Sequence, residues 1–244
     1  MKMVLFILLI FSAVFCADAQ STISNQILQN AFQDIAAGSG KLYNGTGIPQ
    51  YSIKDSTRGS RYLFKGWVKG AITSANNVII SNDSFWLNFD KITQQLFVSL
   101  DKKNVIGVEN KEFKALYFRD SSREISLERV PWIDNKKLLI VLVSDKGKYA
   151  LYKLLNTKLK RADHVDDGVQ ERGNNYDEFV DAPIYYVLFP NHEYRNLYVL
   201  KSKAIEKLFS LGPEAQPVKT YLNAHVNAPE NESLITNLIL FLNQ

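Results

Sequence analysis

Phe113-Lys114-Ala115-Leu116-Tyr117-Phe118, Ile125-Ser126-Leu127-Glu128-Arg129-Val130 and Leu138-Leu139-Ile140-Val141-Leu142-Val143 are short runs rich in aromatic and β-branched residues. Such side chains suit a pleated, half-buried surface. Their spacing, about ten residues from run to run, predicts a meander of antiparallel strands. Working outward, Tyr62-Leu63-Phe64, Trp67-Val68, Val78-Ile79-Ile80, Phe85-Trp86-Leu87, Leu96-Phe97-Val98 and Val105-Ile106 read the same way. Asn76-Asn77, Asp101-Lys102-Lys103-Asn104 and Asp145-Lys146-Gly147 break the runs, and Gly147 offers a positive φ for a hairpin turn. Two more strands are expected over 184–189 and 194–200, after a long polar stretch over 156–181 that reads as a loop.

The C-terminal end changes period. Ser202 is the expected cap of a helix over 203–211, stopped by Gly212-Pro213. A second helix is expected over 214–225, with Pro217 in its first turn, and a third beginning at Pro229. In the third, Leu234, Ile235, Leu238, Ile239 and Leu242 share one apolar face. These helices are expected to cover one face or end of the sheet, since sheet faces must be buried. At the other end, Ile23, Ile27, Leu28, Phe32 and Ile35 give a short helix over 22–37, followed by a Gly-, Pro- and Asn-rich linker to residue 60. The fold class is therefore mainly β. It is an antiparallel meander, sandwich or open barrel, with a short N-terminal helix and a helical C-terminus. The domain is expected over 61–244, with its C-terminal helices over 202–243.

Residues 1–19 read as an address. Lys2, the apolar run over 4–11 and Ala17-Asp18-Ala19 before Gln20 predict a signal peptide cleaved after Ala19. Phe15 fits badly before a lipid-bearing Cys16. The mature chain then carries no cysteine, hence no disulfide and no thiol nucleophile. It is expected in the periplasm or outside the cell. Removing Lys2 and Asp18 leaves the net charge at +4. So mild a surplus, without a basic arm, argues against nucleic acid. No later apolar run reaches the roughly 18 residues of a membrane helix. A hydrophobic fraction of 46% and a charged fraction of 22% are those of an ordinary globular chain.

Asn88-Phe89-Asp90-Lys91 followed by Leu96 is one distinctive segment. Leu151-Tyr152-Lys153, Thr157-Lys158-Leu159, Ala162-Asp163 and Asp167-Gly168 lead into a second, Gly173-Asn174-Asn175-Tyr176-Asp177-Glu178-Phe179-Val180-Asp181, and on to Tyr185-Tyr186-Val187. Tyr221-Leu222 and Leu242-Asn243 close the pattern. From residue 61 onward the chain resembles a family of uncharacterised secreted proteins common in Bacteroidota. His164, Phe89 and Phe179 stand where that family usually carries tyrosine. The resemblance implies export and a β-rich fold, and brings no activity, ligand or catalytic residue with it.

Catalytic signatures are missing. There is no G-x-S-x-G, no H-E-x-x-H among His164, His192 and His225, and no glycine-rich phosphate loop. A glycosidase needs only two carboxylates about 5–9.5 Å apart, which many chains supply. The polar stretch over 156–181 concentrates acids, and Asp163, Asp167, Asp177 and Glu178 are candidate oxygen ligands for Ca²⁺. Val165 breaks the EF-hand spacing, and the competing reading is a solvated loop pinned by Tyr176 and Phe179. Lys153, Lys158, Lys160 and Arg161 read as an anion-binding run or a solvated strand end. Trp67, Trp86 and Trp132 read as sugar-stacking rings or as core and sheet-face residues. The leading expectation is an exported, non-catalytic binding or envelope-associated module, with envelope or glycan contact. A secreted hydrolase with a carboxylate site and a carrier of an apolar ligand are the alternatives.

Overall fold

The computed structural model describes residues 57–75, 77–102, 105–166, 168 and 170–244. The expected signal peptide, Cys16, the N-terminal helix over 22–37 and most of the linker lie outside them. Among the described residues, fifteen strands and three α-helices follow in the order β1 (Lys69–Ser74), β2 (Ile79–Ser81), β3 (Trp86–Asp90), β4 (Gln95–Ser99), β5 (Ile106–Val108), β6 (Phe113–Arg119), β7 (Glu124–Val130), β8 (Asp134–Val143), β9 (Ala150–Leu154), β10 (Thr157–Lys160), β11 (Val165–Asp166), β12 (Glu171–Arg172), β13 (Glu178–Asp181), β14 (Ile184–Leu188), β15 (Tyr194–Leu197), α1 (Ser202–Leu208), α2 (Ala215–Ala224) and α3 (Glu232–Leu242). The protein is mainly β, its sheets are antiparallel, and its C-terminus is helical.

One eight-stranded sheet, in the order β15-β14-β9-β8-β7-β6-β1-β2, forms the frame. Its central strands β6, β7 and β8 are the aromatic and β-branched runs over 113–118, 125–130 and 138–143, and their register explains their composition. Ile72 lies beside Leu116, Leu116 beside Leu127, and Leu127 beside Ile140, one buried aliphatic row across four strands. Alternate residues such as Tyr117 and Ser126 point to the opposite face. The three-stranded sheet β3-β4-β5 covers that row with Leu87, Phe89, Leu96, Val98, Ile106 and Val108.

The same face continues past β8, but there the helices cover it. A register shift between Val141 and Val143 turns the chain by one residue. Val141 therefore joins the far face while Val143 joins the helical core, as an extra residue in a bulge requires. Leu151, Tyr185, Val187 and Leu197 meet Ile205, Phe209, Val218, Leu222 and the predicted face of α3, of which Leu234, Ile235, Leu238 and Ile239 are buried and Leu242 partly so. On the opposite face, the tip of the β7–β8 hairpin packs Val130 and Ile133 against Leu139, Ala150, Tyr152, Leu154 and Leu188.

Several expectations are corrected. The stretch over 156–181 is not a loop but a two-stranded arm, β10 against β13 and β11 against β12. Its residues are mostly polar because most of its side chains are not buried: in β10 and β13 only Thr157 is. Lys69–Ser74 is a strand despite its weak β composition, held between β2 and β6. Tyr62-Leu63-Phe64 is a bend carrying one bridge from Tyr62 to Asp90. Ser202 does not cap α1 with its side chain; Glu230 accepts its backbone N–H instead at 2.8 Å. The third helix starts at Glu232, capped by the Asn231 side chain, not at Pro229. Gly147 does not take a positive φ. It is small because Asn243 lies against it: a Cβ there would sit 2.6 Å from the Asn243 side chain. That side chain accepts from Tyr149 N–H at 2.8 Å and donates to Tyr149 C=O at 2.9 Å, so it cannot easily move.

Candidate functional site

Asn88-Phe89-Asp90-Lys91 ends β3, and each residue has a separate task. Asn88 donates to the carbonyls of Phe64 and Gly66 at 3.1 and 3.2 Å and accepts from Phe64 N–H at 3.3 Å. It thereby holds the bend over 63–66 as a backbone strand would. Phe89 fills the core. Asp90 is fully buried; one oxygen accepts from Ile92 and Thr93 N–H, and the other pairs with the buried guanidinium of Arg61. Lys91 reaches out and donates to both oxygens of Asp181 at 2.7 and 2.8 Å. Thr157 Oγ1 donates to the same carboxylate at 2.5 Å. Gln94 completes the turn, donating to Lys91 C=O at 3.0 Å and accepting from Leu138 N–H at 3.1 Å.

The second distinctive segment closes on the first through residues 58–62. Arg58 N–H donates to Asp177 C=O and Phe179 N–H to Arg58 C=O, both at 2.9 Å. The Arg58 guanidinium lies 3.8 Å from the Tyr176 ring centroid and donates to its hydroxyl at 3.1 Å. Gly59, at φ +72°, would place a Cβ 2.5 Å from Phe179 C=O, so both the backbone angle and the close approach require glycine. The two distinctive segments thus meet, ninety residues apart in sequence, at the Lys91–Asp181 pair.

Beside this cluster lies a wide groove of about 1140 Å³, bordered by residues 59, 60 and 62–68, Lys91, residues 120–123 and Asp181. Trp67 and Tyr62 supply half-buried rings and Lys65 an exposed ammonium. Asp120 sits on its rim. Ser122 donates to it from both its N–H and its hydroxyl, and Arg123 from its N–H, holding the Asp120 carboxyl below the ordinary carboxylate range. Neither carboxylate bordering the groove is thus left to act alone. A second cavity, about 260 Å³, lies between Arg61, Ile92, Thr157, Lys158, Leu159 and Phe179.

Of the candidate calcium ligands, Asp163, Asp177 and Glu178 are described, each with its own neighbours. Asp163 accepts from Asn174 N–H at 2.8 Å and lies 3.4 Å from Lys160 Nζ. Asp177 is buried, accepting from Arg161 at 2.7 Å and from Ala162 N–H at 2.8 Å. Glu178 stands opposite Lys160 in the arm. Asp167 lies outside the described residues. No cluster of three His, Cys, Asp or Glu side chains suited to a metal ion occurs among the described residues. Of the basic run, Lys153 pairs with Glu232 at 2.6 Å, Lys160 with Asp163 and Arg161 with Asp177; Lys158 borders the smaller cavity. None of the three tryptophans is in the buried core. Trp67 borders the groove, Trp86 is clasped between the ammonium groups of Lys69 and Lys102 at 3.4 and 3.6 Å from its centroid, and Trp132 is exposed.

Sequence reasoning missed Arg61, Thr157 and the Lys91–Asp181 contact. Lysine and aspartate are ordinarily surface residues, and no local pattern ties position 91 to position 181. Among the described residues no helix is long and apolar enough to cross a membrane. Comparison with known proteins gave no match, whether to a family model, a curated protein or a solved structure.

Proposed function

We propose that this chain is an exported, non-catalytic binding module of the cell envelope, taking a polar, extended ligand in the groove beside Lys91 and Asp181. One observation carries the reading. The groove is broad and mixed in polarity, yet Asp120 and Asp181, the carboxylates that border it, are already engaged by Ser122, Arg123, Lys91 and Thr157. General acid catalysis wants a carboxyl raised toward the working pH, and Asp120 is shifted the other way. The smaller cavity, about 260 Å³, falls below the roughly 300–1,000 Å³ of ordinary small-molecule pockets, which weighs against an apolar carrier. Lys2, the apolar run over 4–11 and Ala17-Asp18-Ala19 support export to the periplasm or beyond, as does the resemblance to secreted proteins of Bacteroidota. The reading assigns no metal and no cofactor.

Sedimentation with isolated bacterial cell envelopes tests it. The wild-type protein should pellet with the envelopes, and the triple variant Lys65→Glu, Trp67→Ala, Arg123→Glu should stay in the supernatant. Reducing ends and free amino groups should not increase. Equal sedimentation of the two proteins would remove the groove from the account. Their release at a rate that depends on the protein would replace binding by hydrolysis.

A further inference from the structure

We propose that Trp132, Tyr194 and Tyr198 form a carbohydrate-binding ridge, separate from the groove, that takes a neutral chain of equatorially substituted pyranoses by ring stacking. These are large aromatic side chains left in solvent, 57%, 42% and 65% exposed. Two of them, with Tyr186, belong to the β14–β15 hairpin, and the β7–β8 tip brings the third. Tyr186 stands beside Asn196 and Leu188 beside Tyr194, which puts Tyr194 and Asn196 on the face of Tyr186 and Leu188, the face against which the β7–β8 tip packs.

Each ring is held. Trp132 stacks on His192 with centroids 4.7 Å apart and planes 26° apart. His192 itself takes a φ of +62° in the β14–β15 turn, a conformation non-glycine residues rarely adopt. Tyr194 meets Tyr186 edge to face at 5.9 Å. The Tyr198 hydroxyl accepts from Asn196 Nδ2 at 2.6 Å. Fixed rings lose little entropy when a flat ligand settles on them.

Charge decides the class of ligand. In a chain of net charge +4, this ridge presents rings, phenolic hydroxyls and an amide. Arg195, the one charged residue of β15, is turned away; it donates to Leu208 C=O at 2.7 Å and to Glu193 at 3.0 Å. Lys148 and Asp145, of opposite sign, line a pocket with Trp132 and His192, so neither an anionic nor a cationic polymer meets a patch of one charge there. A pyranose offers C–H groups to ring faces and hydroxyls to Asn196 and the tyrosines, matching an apolar body with a polar edge.

Isothermal titration calorimetry with cellohexaose and xylohexaose tests the proposal on the wild-type protein. Binding of at least one is expected at millimolar concentration or below. Tyr198→Ala and Trp132→Ala should each weaken it roughly tenfold, a loss of about 1.4 kcal/mol. Tyr198→Phe keeps the ring and should stay within threefold of wild type, about 0.6 kcal/mol. Tyr198 is exposed, so its variants fold even if Trp132→Ala does not, and matching thermal unfolding verifies this. The groove triple variant should bind the hexaoses as wild type does, which separates this site from the proposed envelope-binding groove. Failure to bind either hexaose overturns the proposal, as does binding that Tyr198→Ala leaves intact. Sedimentation with neutral phosphatidylcholine vesicles, in place of hexaose binding, would give the ridge to lipid and equally overturn it.

Discussion

One face of one sheet is covered in two ways, and the two coverings hold by different means. Over β1, β6 and β7 the lid is a second sheet, β3-β4-β5, whose β3 end and β3–β4 turn bury Asn88, Asp90, Lys91 and Gln94 together with Arg61. Over β9, β14 and β15 the lid is three helices, and its buried residues are apolar or tyrosine. There the polar contacts stand at the margin: Tyr149 donates to Glu214, and Tyr185 and Lys153 both donate to Glu232. The sheet lid is thus located by directional bonds that fail if a partner is lost. The helical lid is located by apolar area, which tolerates small changes of shape. The candidate groove lies beside the first, where geometry is most tightly specified.

The largest expected effect comes from breaking the directional end. Asp90→Ala strips the buried Arg61 guanidinium of its carboxylate and frees the turn at Ile92 and Thr93. Breaking a buried pair from one side costs about 3–5 kcal/mol. Thermal unfolding should fall by on the order of 10 °C. The double variant Arg61→Met, Asp90→Leu should be less harmed than Asp90→Ala alone, because no buried charge is stranded. If the double variant is the worse of the two, the pair is not what locates the lid.

At the helical end, Leu238→Ala empties a fully buried position between α3 and the sheet. About 3 kcal/mol of stability should go, measured by urea unfolding, since large-to-small core changes cost roughly 2–5 kcal/mol. Leu238→Met should cost less than about 1.5 kcal/mol, because a volume-conserving change suits a lid held by area. An equally severe Leu238→Met would erase the contrast between the two ends.

Alkaline pH should loosen the helical end. Burial, and then the Glu214 carboxylate, push the Tyr149 hydroxyl up to about 12. Burial and then Glu232 raise Tyr185 in the same core, while Tyr152, pushed up to about 12 by burial, adds to the loss from the opposite face. The folded chain therefore keeps these protons when the unfolded chain has released them. Stability should be flat below the ordinary value of 10.0 and fall as pH climbs from there toward about 12. Circular dichroism between those pH values, with tyrosinate absorbance, should show helix loss tracking ionisation. Unfolding that begins well below pH 10 would point to other groups.

The smallest expected effect is that of calcium on the arm. Asp163 and Asp177 are committed to Asn174, Lys160, Arg161 and Ala162. Melting temperatures in millimolar Ca²⁺ and in excess chelator should agree. A site filled to about a hundred times its dissociation constant would add roughly 2.7 kcal/mol, and a rise of several degrees would show it.

What the amino-acid order determined by itself is the set of elements whose signal is local. The strands over 113–143 announce themselves by aromatic and β-branched side chains, and α3 by its apolar face at helical spacing. Burial of one side of a strand or helix imposes a period that survives in the sequence. The acidic stretch over 156–181 misled because few positions of β10 and β13 are buried, so its polar residues look like a loop. What only the tertiary structure decided is which distant residues share a site. Lys91 meets Asp181, Arg61 meets Asp90, Gly147 makes room for Asn243, and Trp132 reaches His192. Each of these contacts depends on the register of paired strands and the curl of a hairpin. Register is fixed by the whole sheet, and no short stretch of sequence records it.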